Sequence, residues 1–325
     1  MSNATSLPVI TLSLRIGPML EFAIRRLLRA LITIWAVVTL VFIFLRCAGD
    51  PALMLLPDTT PPDVVQAFRE QWGLDQPIPV QYLRYLSHVM VGDFGQSFID
   101  GRSALSVVLA ALPKTLLLGT TALGFAICVG IPAGILAAMR RGTLWDRLIM
   151  TGAVLGYSLP SFFIGIVLVV IFALHLRWLP SSGSTTAAHL ILPSVTLGLW
   201  IAATLARLTR SSLLETMSED YMETARSKGL GSVGRIVRHA LPNAANPILT
   251  VLGMSAGHII AGSVIVETVF AWPGVGRLTI TSVGARELSI VQAIVMLVAS
   301  AMVLANLTVD LLYGVFDPRL RGSRR

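Results

Sequence analysis

Charge is what this 325-residue chain has least of: Asp, Glu, Lys and Arg make up 13% of it, against 54% hydrophobic residues. So few charges cannot cover a water-soluble fold of this length, and the mean hydropathy of +0.77 agrees. Cysteine is nearly absent. Cys47 and Cys128 cannot build a disulfide framework, and Cys128, inside an apolar run, is expected to pack as a small hydrophobe. The five histidines (His88, His175, His189, His239, His258) show no close metal-ligand spacing. There is no Gly-x-x-x-x-Gly-Lys-Ser/Thr run, so the chain is not expected to hydrolyse ATP. Internal repeats, low-complexity tracts and a small-residue cleavage site after the first apolar run are missing too.

What is present is apolar runs on the scale of a bilayer, roughly 20 residues each. Six stand out, at 27–45, 115–139, 148–174, 190–206, 247–266 and 288–309. Pro132, Pro160 and Pro193 fall within the second, third and fourth, where a spanning helix tolerates a kink. The expected fold is an all-α polytopic membrane protein with six transmembrane helices. With the N-terminus cytoplasmic, 17 of the 25 Lys and Arg residues fall on the cytoplasmic side, which places both termini inside. The same asymmetry accounts for the net charge of +8 without a nucleic-acid partner. The organisation is then a cytoplasmic segment (1–26), a first span (27–45), an extracytoplasmic cap (46–113), a core of five spans with a cytoplasmic loop at 215–246 (114–313), and a tail (314–325). Residues before Met19 read as a disordered extension. The later outer loops are short, and Trp272 in Phe270-Ala271-Trp272-Pro273-Gly274 reads as an interfacial aromatic in a tight turn.

The cytoplasmic loop reads as two small polar helices. Asp220 with Glu223 three residues on resembles a capping box, so a helix should start near Tyr221. Gly229 suits its C-terminal cap. Ala225 and Gly229, four apart, put small residues on one side, where another surface can approach closely. Ser232 can cap a second helix through Ile236 to Ala240, and Pro242 is expected to end it. The bland alternative is an amphipathic loop resting on lipid headgroups.

The motifs decide between these. Glu223-Thr224-Ala225, Gly229 and Leu241-Pro242 resemble the loop signature of inner-membrane permeases of ATP-driven, binding-protein-dependent importers. That signature is Glu-Ala-Ala, three residues, Gly, nine residues, Ile-x-Leu-Pro; here Thr224 replaces an alanine and His239 the isoleucine. Gly49-Asp50-Pro51-Ala52, Gly73-Leu74-Asp75-Gln76-Pro77, Gly92-Asp93-Phe94-Gly95, Asp220-Tyr221, Phe270-Ala271-Trp272-Pro273-Gly274-Val275-Gly276 and Asp317-Pro318-Arg319 look like the dipeptide/oligopeptide/nickel permease subfamily. The resemblance covers nearly everything from Met19 to Arg321. It implies the type I ABC importer permease fold in a bacterial inner membrane. It also implies that Tyr221, Glu223, Ala225 and Gly229 dock on an ATPase subunit, with Leu241 and Pro242 shaping the hinge. The implied partners are a second homologous permease, two ATPase subunits carrying ATP and Mg, and an extracytoplasmic solute-binding protein. No cofactor is expected on this chain. Short peptides are the expected substrate, with a nickel chelate or a glutathione-type solute as the alternative.

Three ionisable residues lie at membrane depth: Glu267 near the outer end of the fifth span, His258 within it and Asp310 near the inner end of the sixth. His258 and Glu267 are pathway candidates, although packing suits His258, and a structural or gating role, paired with Arg277 or Arg286, suits Glu267. An intramembrane hydrolase would need more than Ser158 and Ser161 around Leu159-Pro160 with His258 as base. Gly156-Tyr157-Ser158-Leu159-Pro160 lacks the second glycine of a nucleophile elbow. A secondary transporter would want inverted repeats, and none is visible.

Overall fold

The structure, a computed structural model, describes residues 16–47, 56, 59–97 and 99–316. The motifs Gly49-Asp50-Pro51-Ala52 and Asp317-Pro318-Arg319, and the segment 1–15, lie outside the described residues. The order is α1 (Ile16–Cys47), α2 (Pro62–Trp72), α3 (Ile78–Met90), α4 (Ala104–Met139), α5 (Leu144–Ser158), α6 (Ser161–Leu168, running on as a π segment Val169–His175), α7 (Ala188–Met217) and α8 (Asp220–Ser227). Then follow α9 (Ser232–Arg235, running on as a π segment Ile236–Ala240), α10 (Leu241–Val269), α11 (Val275–Gly284) and α12 (Leu288–Phe316). Among the described residues, four stretches are helical, long and apolar enough to cross a membrane: Ile24–Phe44, Ala104–Met139, Ala188–Met217 and Leu288–Ala305.

At the centre α4 lies along α7 with almost nothing between the backbones. A Cβ added at Gly130 would come 2.5 Å from the Ala202 carbonyl, at Gly134 2.6 Å from that of Ala206, and at Gly198 2.5 Å from that of Ala122. Gly130 and Gly134 are four apart, one above the other on a single face, the small-xxx-small spacing by which helices approach closely where no hydrophobic effect drives them together. Ala126, Ile201, Ala202 and Leu205 close the remaining gaps with Ile248 and Ile259 of α10. Outside this core one side of α1 points outward: Leu27, Leu31, Ile32, Trp35 and Phe44 are all more than half exposed, as expected of a surface facing lipid, while Val38 and Phe42 are buried.

Several expectations are corrected. The stretch 148–174 is not one kinked helix but two, α5 and α6, bent by 109° at Leu159-Pro160. Leu159 is extended (φ −82°, ψ 134°) because the ring of Pro160 disfavours the α region for the residue before it, and Pro160 is extended in turn (φ −60°, ψ 140°) as the N-cap of α6. Pro242 does not end the second loop helix. The backbone is helical from Ser232 to Val269, and a π turn absorbs the missing donor: the Leu241 N–H reaches back to the Ile236 carbonyl, while the Asn243 side-chain amide donates to the His239 carbonyl at 2.7 Å. The connection after α10 holds a further helix, α11. Trp272 is buried rather than interfacial, its indole N–H donating to the Lys114 carbonyl at 3.0 Å. Cys128 is exposed on α4, not packed.

The stretch between α1 and α4 is built on its motif glycines and prolines. Gly73 takes a left-handed φ of 62° to stop α2, and Pro77 opens α3. The Gln81 amide bridges the carbonyls of Leu74 and Gln76 at 2.9 and 2.6 Å. Asp93 accepts from the Gly95 N–H at 3.0 Å and pairs with His88 Nδ1 at 2.9 Å; the backbone bond first, then the imidazole, hold its carboxyl below the ordinary range. Tyr82 packs edge-on against Phe42 and shares a 2.7 Å hydrogen bond with Thr39, which seats α3 on α1.

Candidate coupling loop and buried acidic staple

The polar loop folds as a helix, a glycine break and a helix. α8 starts one residue earlier than the capping-box reading, at Asp220, with Glu219 as its extended N-cap and no side-chain capping bond. Its end follows the expectation: Gly229 has φ +76° and its N–H returns to the Arg226 carbonyl at 3.0 Å, a left-handed turn that a side chain would strain. Met222 and Ala225 face inward, 5% exposed each, and Met222 packs with Leu213, Ile236, Ala240 and Ala244. Tyr221 and Glu223 face outward. Ala225 is therefore covered by the chain itself, whereas nothing lies within 4 Å of a Cβ added at Gly229. Leu241 is half-buried and Pro242 exposed. A cavity of about 240 Å³ opens beside α8, lined by Met217, Asp220, Glu223, Arg226 and Arg235. Within it the Arg235 Nε is buried without a hydrogen-bond partner among the described residues.

Below the loop, Asp146 at the start of α5 accepts a bidentate pair from Arg210 of α7 at 2.6 and 2.8 Å, plus the Gly142 N–H at 2.9 Å. In the sequence Arg210 is only one of the 17 Lys and Arg residues on the cytoplasmic side. A single acid at the mouth of an apolar run, opposite a clustered arginine, was the available signal.

At the opposite end of α10, Glu267 is fully buried. Its Oε1 accepts from the hydroxyls of Thr115 (2.8 Å) and Ser263 (2.9 Å), and its Oε2 from the backbone N–H of Arg277 (3.0 Å). Thr115 in turn accepts the Val275 N–H at 2.8 Å. One carboxylate thus staples α4, α10 and the start of α11. The partner expected from sequence was the side chain of Arg277 or Arg286; the carboxylate is held by hydroxyls and a backbone N–H instead, and the Arg277 guanidinium turns to the Ala271 carbonyl at 2.7 Å. A Cβ on Gly274 would fall 2.4 Å from the carboxylate, and one on Gly276 2.6 Å from the Val264 backbone. The glycines of Pro273-Gly274-Val275-Gly276 are spaced to admit the acid. Glu287, for which the sequence carries no signal, does similar work elsewhere: it accepts from Ser97 Oγ at 3.0 Å and the Ile99 N–H at 2.8 Å, pinning the loop before α4 to the start of α12. The side chains of His258 and Asp310 lie outside the described residues.

Residues 130–322 match the family of binding-protein-dependent transport system inner membrane components, and residues 19–119 match the N-terminal region of such membrane components. The chain belongs to this family. As a permease of this kind it is 42% identical over 304 residues to the glutathione transport system permease protein GsiC of Salmonella paratyphi A, covering 93% of this chain and 99% of that protein. It is 41% identical, with the same coverage, to GsiC of Escherichia coli K12. Its fold is shared, at a TM-score of 0.54 and 18% identity, with a chain of the MetNI methionine ABC transporter in an inward facing conformation, over 64% of this chain and 95% of that one. The permease is a multi-pass subunit of an ABC importer and a transport component rather than an enzyme; in this family ATP hydrolysis belongs to separate ATPase subunits.

Proposed function

We propose that this permease imports a short peptide of the glutathione class, delivered by an extracytoplasmic solute-binding protein. The observation that carries the reading is the 42% identity, along 93% of the chain, to a glutathione transport permease. The spans are assigned to α1, α4, the bent pair α5–α6, α7, α10 and α12, with both termini cytoplasmic as the Lys and Arg count favours. A second permease of similar kind forms the other half of the pathway, and two ATPase subunits with ATP and Mg supply the energy.

In this reading the α8–α9 loop is the docking surface for an ATPase. Tyr221 and Glu223 are its outward contacts, and the open Gly229 turn is the point of close backbone approach. Ala225 acts from within, on the buried side of α8 beside Met222, and the π turn ahead of Leu241 and Pro242 joins the loop to α10. Glu267 holds the far end of α10 and serves the pathway by fixing its frame; His258 remains a pathway candidate.

The test is uptake in a strain lacking the gene, with labelled glutathione, dipeptides, oligopeptides and nickel compared side by side. Loss of glutathione uptake, restored by the gene, is expected. Loss of nickel uptake alone would overturn the peptide assignment.

A further inference from the structure

α7 carries a stripe that neither its packing nor lipid explains. Along one face, at helical spacing, run the exposed Trp200, Arg207, Ser211 and Glu215 with the half-buried Thr204; the other exposed residues of the helix, Ile191 and Met217, are apolar and lie toward its ends. The opposite face is small and apolar, and it is the one packed on α4. A spanning helix that turns an arginine and two hydroxyl residues outward is not presenting that side to hydrocarbon.

The direction of Arg207 sharpens this. Long arginines near a helix end normally snorkel toward the headgroups. Side chains lean toward the N-terminus of their helix, which for α7 is the end away from α8, so Arg207 leans deeper into the apolar stretch. Its guanidinium carbon lies 5.7 Å from the centroid of the Tyr157 ring, and Tyr157 stacks on Trp200 at 6.0 Å. Tyr157 is eleven residues along α5 from Asp146, about 16 Å of helix. Arg207 is therefore lifted toward the middle of the bundle, away from the Asp146–Arg210 pair. Among the described residues no carboxylate pairs with Arg207. The aromatic face holds the cation in place, and no hydrogen bond or ion pair among the described residues takes up the N–H groups that can grip a carboxylate.

We propose that Tyr157, Trp200, Thr204, Arg207 and Ser211 line an aqueous path, and that Arg207 holds a carboxylate of the solute as it passes. Glutathione and free peptides carry such a group, so the proposal rests on the importer reading and deepens it. Arg207 is a binding residue on the path; the aromatic pair positions it.

The test has two arms, both in the assembled transporter in membrane vesicles, with Cys47 and Cys128 replaced by serine. In the first, Thr204→Cys is exposed to an anionic and to a cationic methanethiosulfonate reagent. Both should react, and adding Arg207→Gln should lower the anionic-to-cationic rate ratio about tenfold, the scale of a focused local field. A cysteine inert to both reagents, or a ratio that Arg207→Gln leaves unchanged, would overturn the proposal. In the second arm, uptake of one labelled peptide is compared with that of its C-terminal amide. Arg207→Gln should cut the acid about tenfold more than the amide, and Arg207→Lys should restore part of the difference. Equal loss of both would mean a merely structural role. If the wild type moves neither form while the reagent ratio still responds to Arg207→Gln, the peptide assignment fails and the anion-selective path stands.

Discussion

Replacing Glu267 by alanine should be among the most damaging single changes outside the α4–α7 contact. The carboxylate is fully buried and serves three donors, the Thr115 and Ser263 hydroxyls and the Arg277 N–H. Removing it leaves a hole and strands the amide, which cannot rotate; the hydroxyls can turn to backbone carbonyls a turn away. At about 1–3 kcal/mol per stranded buried donor, plus the lost packing, the cost comes to about 3–5 kcal/mol. Glutamine is the instructive comparison. With its oxygen toward Arg277 it still accepts that N–H, and its amide can donate to the Thr115 and Ser263 oxygens, so it should cost only about 1–2 kcal/mol. In detergent-solubilised protein, at about 2 °C of melting temperature per kcal/mol for a chain of this size, alanine should lower the midpoint by roughly 6–10 °C and glutamine by roughly 2–4 °C. Thermal unfolding followed by intrinsic fluorescence reads this directly. An alanine variant that melts within a degree of wild type, or a glutamine variant worse than alanine, would refute the staple.

Gly229→Asp should insert and melt within about 4 °C of wild type, since the added side chain meets open space and only the left-handed turn is strained at about 1–2 kcal/mol, yet it should abolish transport-coupled ATPase activity. Normal transport by that variant would sink the docking assignment. Gly134→Val should fail to accumulate in the membrane, because its Cβ would lie 2.6 Å from the Ala206 carbonyl, whereas Gly152→Val, with nothing within 4 Å, should accumulate normally; immunoblots of the membrane fraction compare the two. Asp146→Asn should cost about 1–3 kcal/mol, partly screened because Arg210 is 27% exposed, and combining it with Arg210→Gln should recover part of that loss in a double-mutant cycle of melting temperatures.

The apolar runs and the loop were legible because both obey local rules. Hydropathy marks a span wherever side chains face lipid, and Gly229 reads as a helix stop because only glycine takes φ +76° without strain. What could not be read depends on partners distant in sequence. The 109° bend at Leu159-Pro160 and the uninterrupted helix through Pro242 both contain a proline in an apolar or amphipathic setting, and the sequence does not distinguish them. The difference lies in whether neighbouring backbone and side chains, such as the Asn243 amide, re-satisfy the freed carbonyls. Glu267 was flagged by its burial cost alone. Its donors come from positions 115, 263 and 277, and only the second is a local neighbour. Arg207 was counted as one more charge on the cytoplasmic side, because a tally of Lys and Arg carries no information about which way a side chain leans.

The glycine contacts between α4 and α7 also limit what this chain can do by itself. Sliding one helix along the other would carry the gaps left by Gly130 and Gly134 off the Ala202 and Ala206 carbonyls and press that backbone against bulkier surface. Shear, the usual low-cost motion of packed helices, is thereby removed from the middle of the subunit. The pair behaves as one stiff beam. Any change in the shape of the subunit has to be a rotation of that beam as a unit, so the moving joints lie at its margins, against α5 and α10.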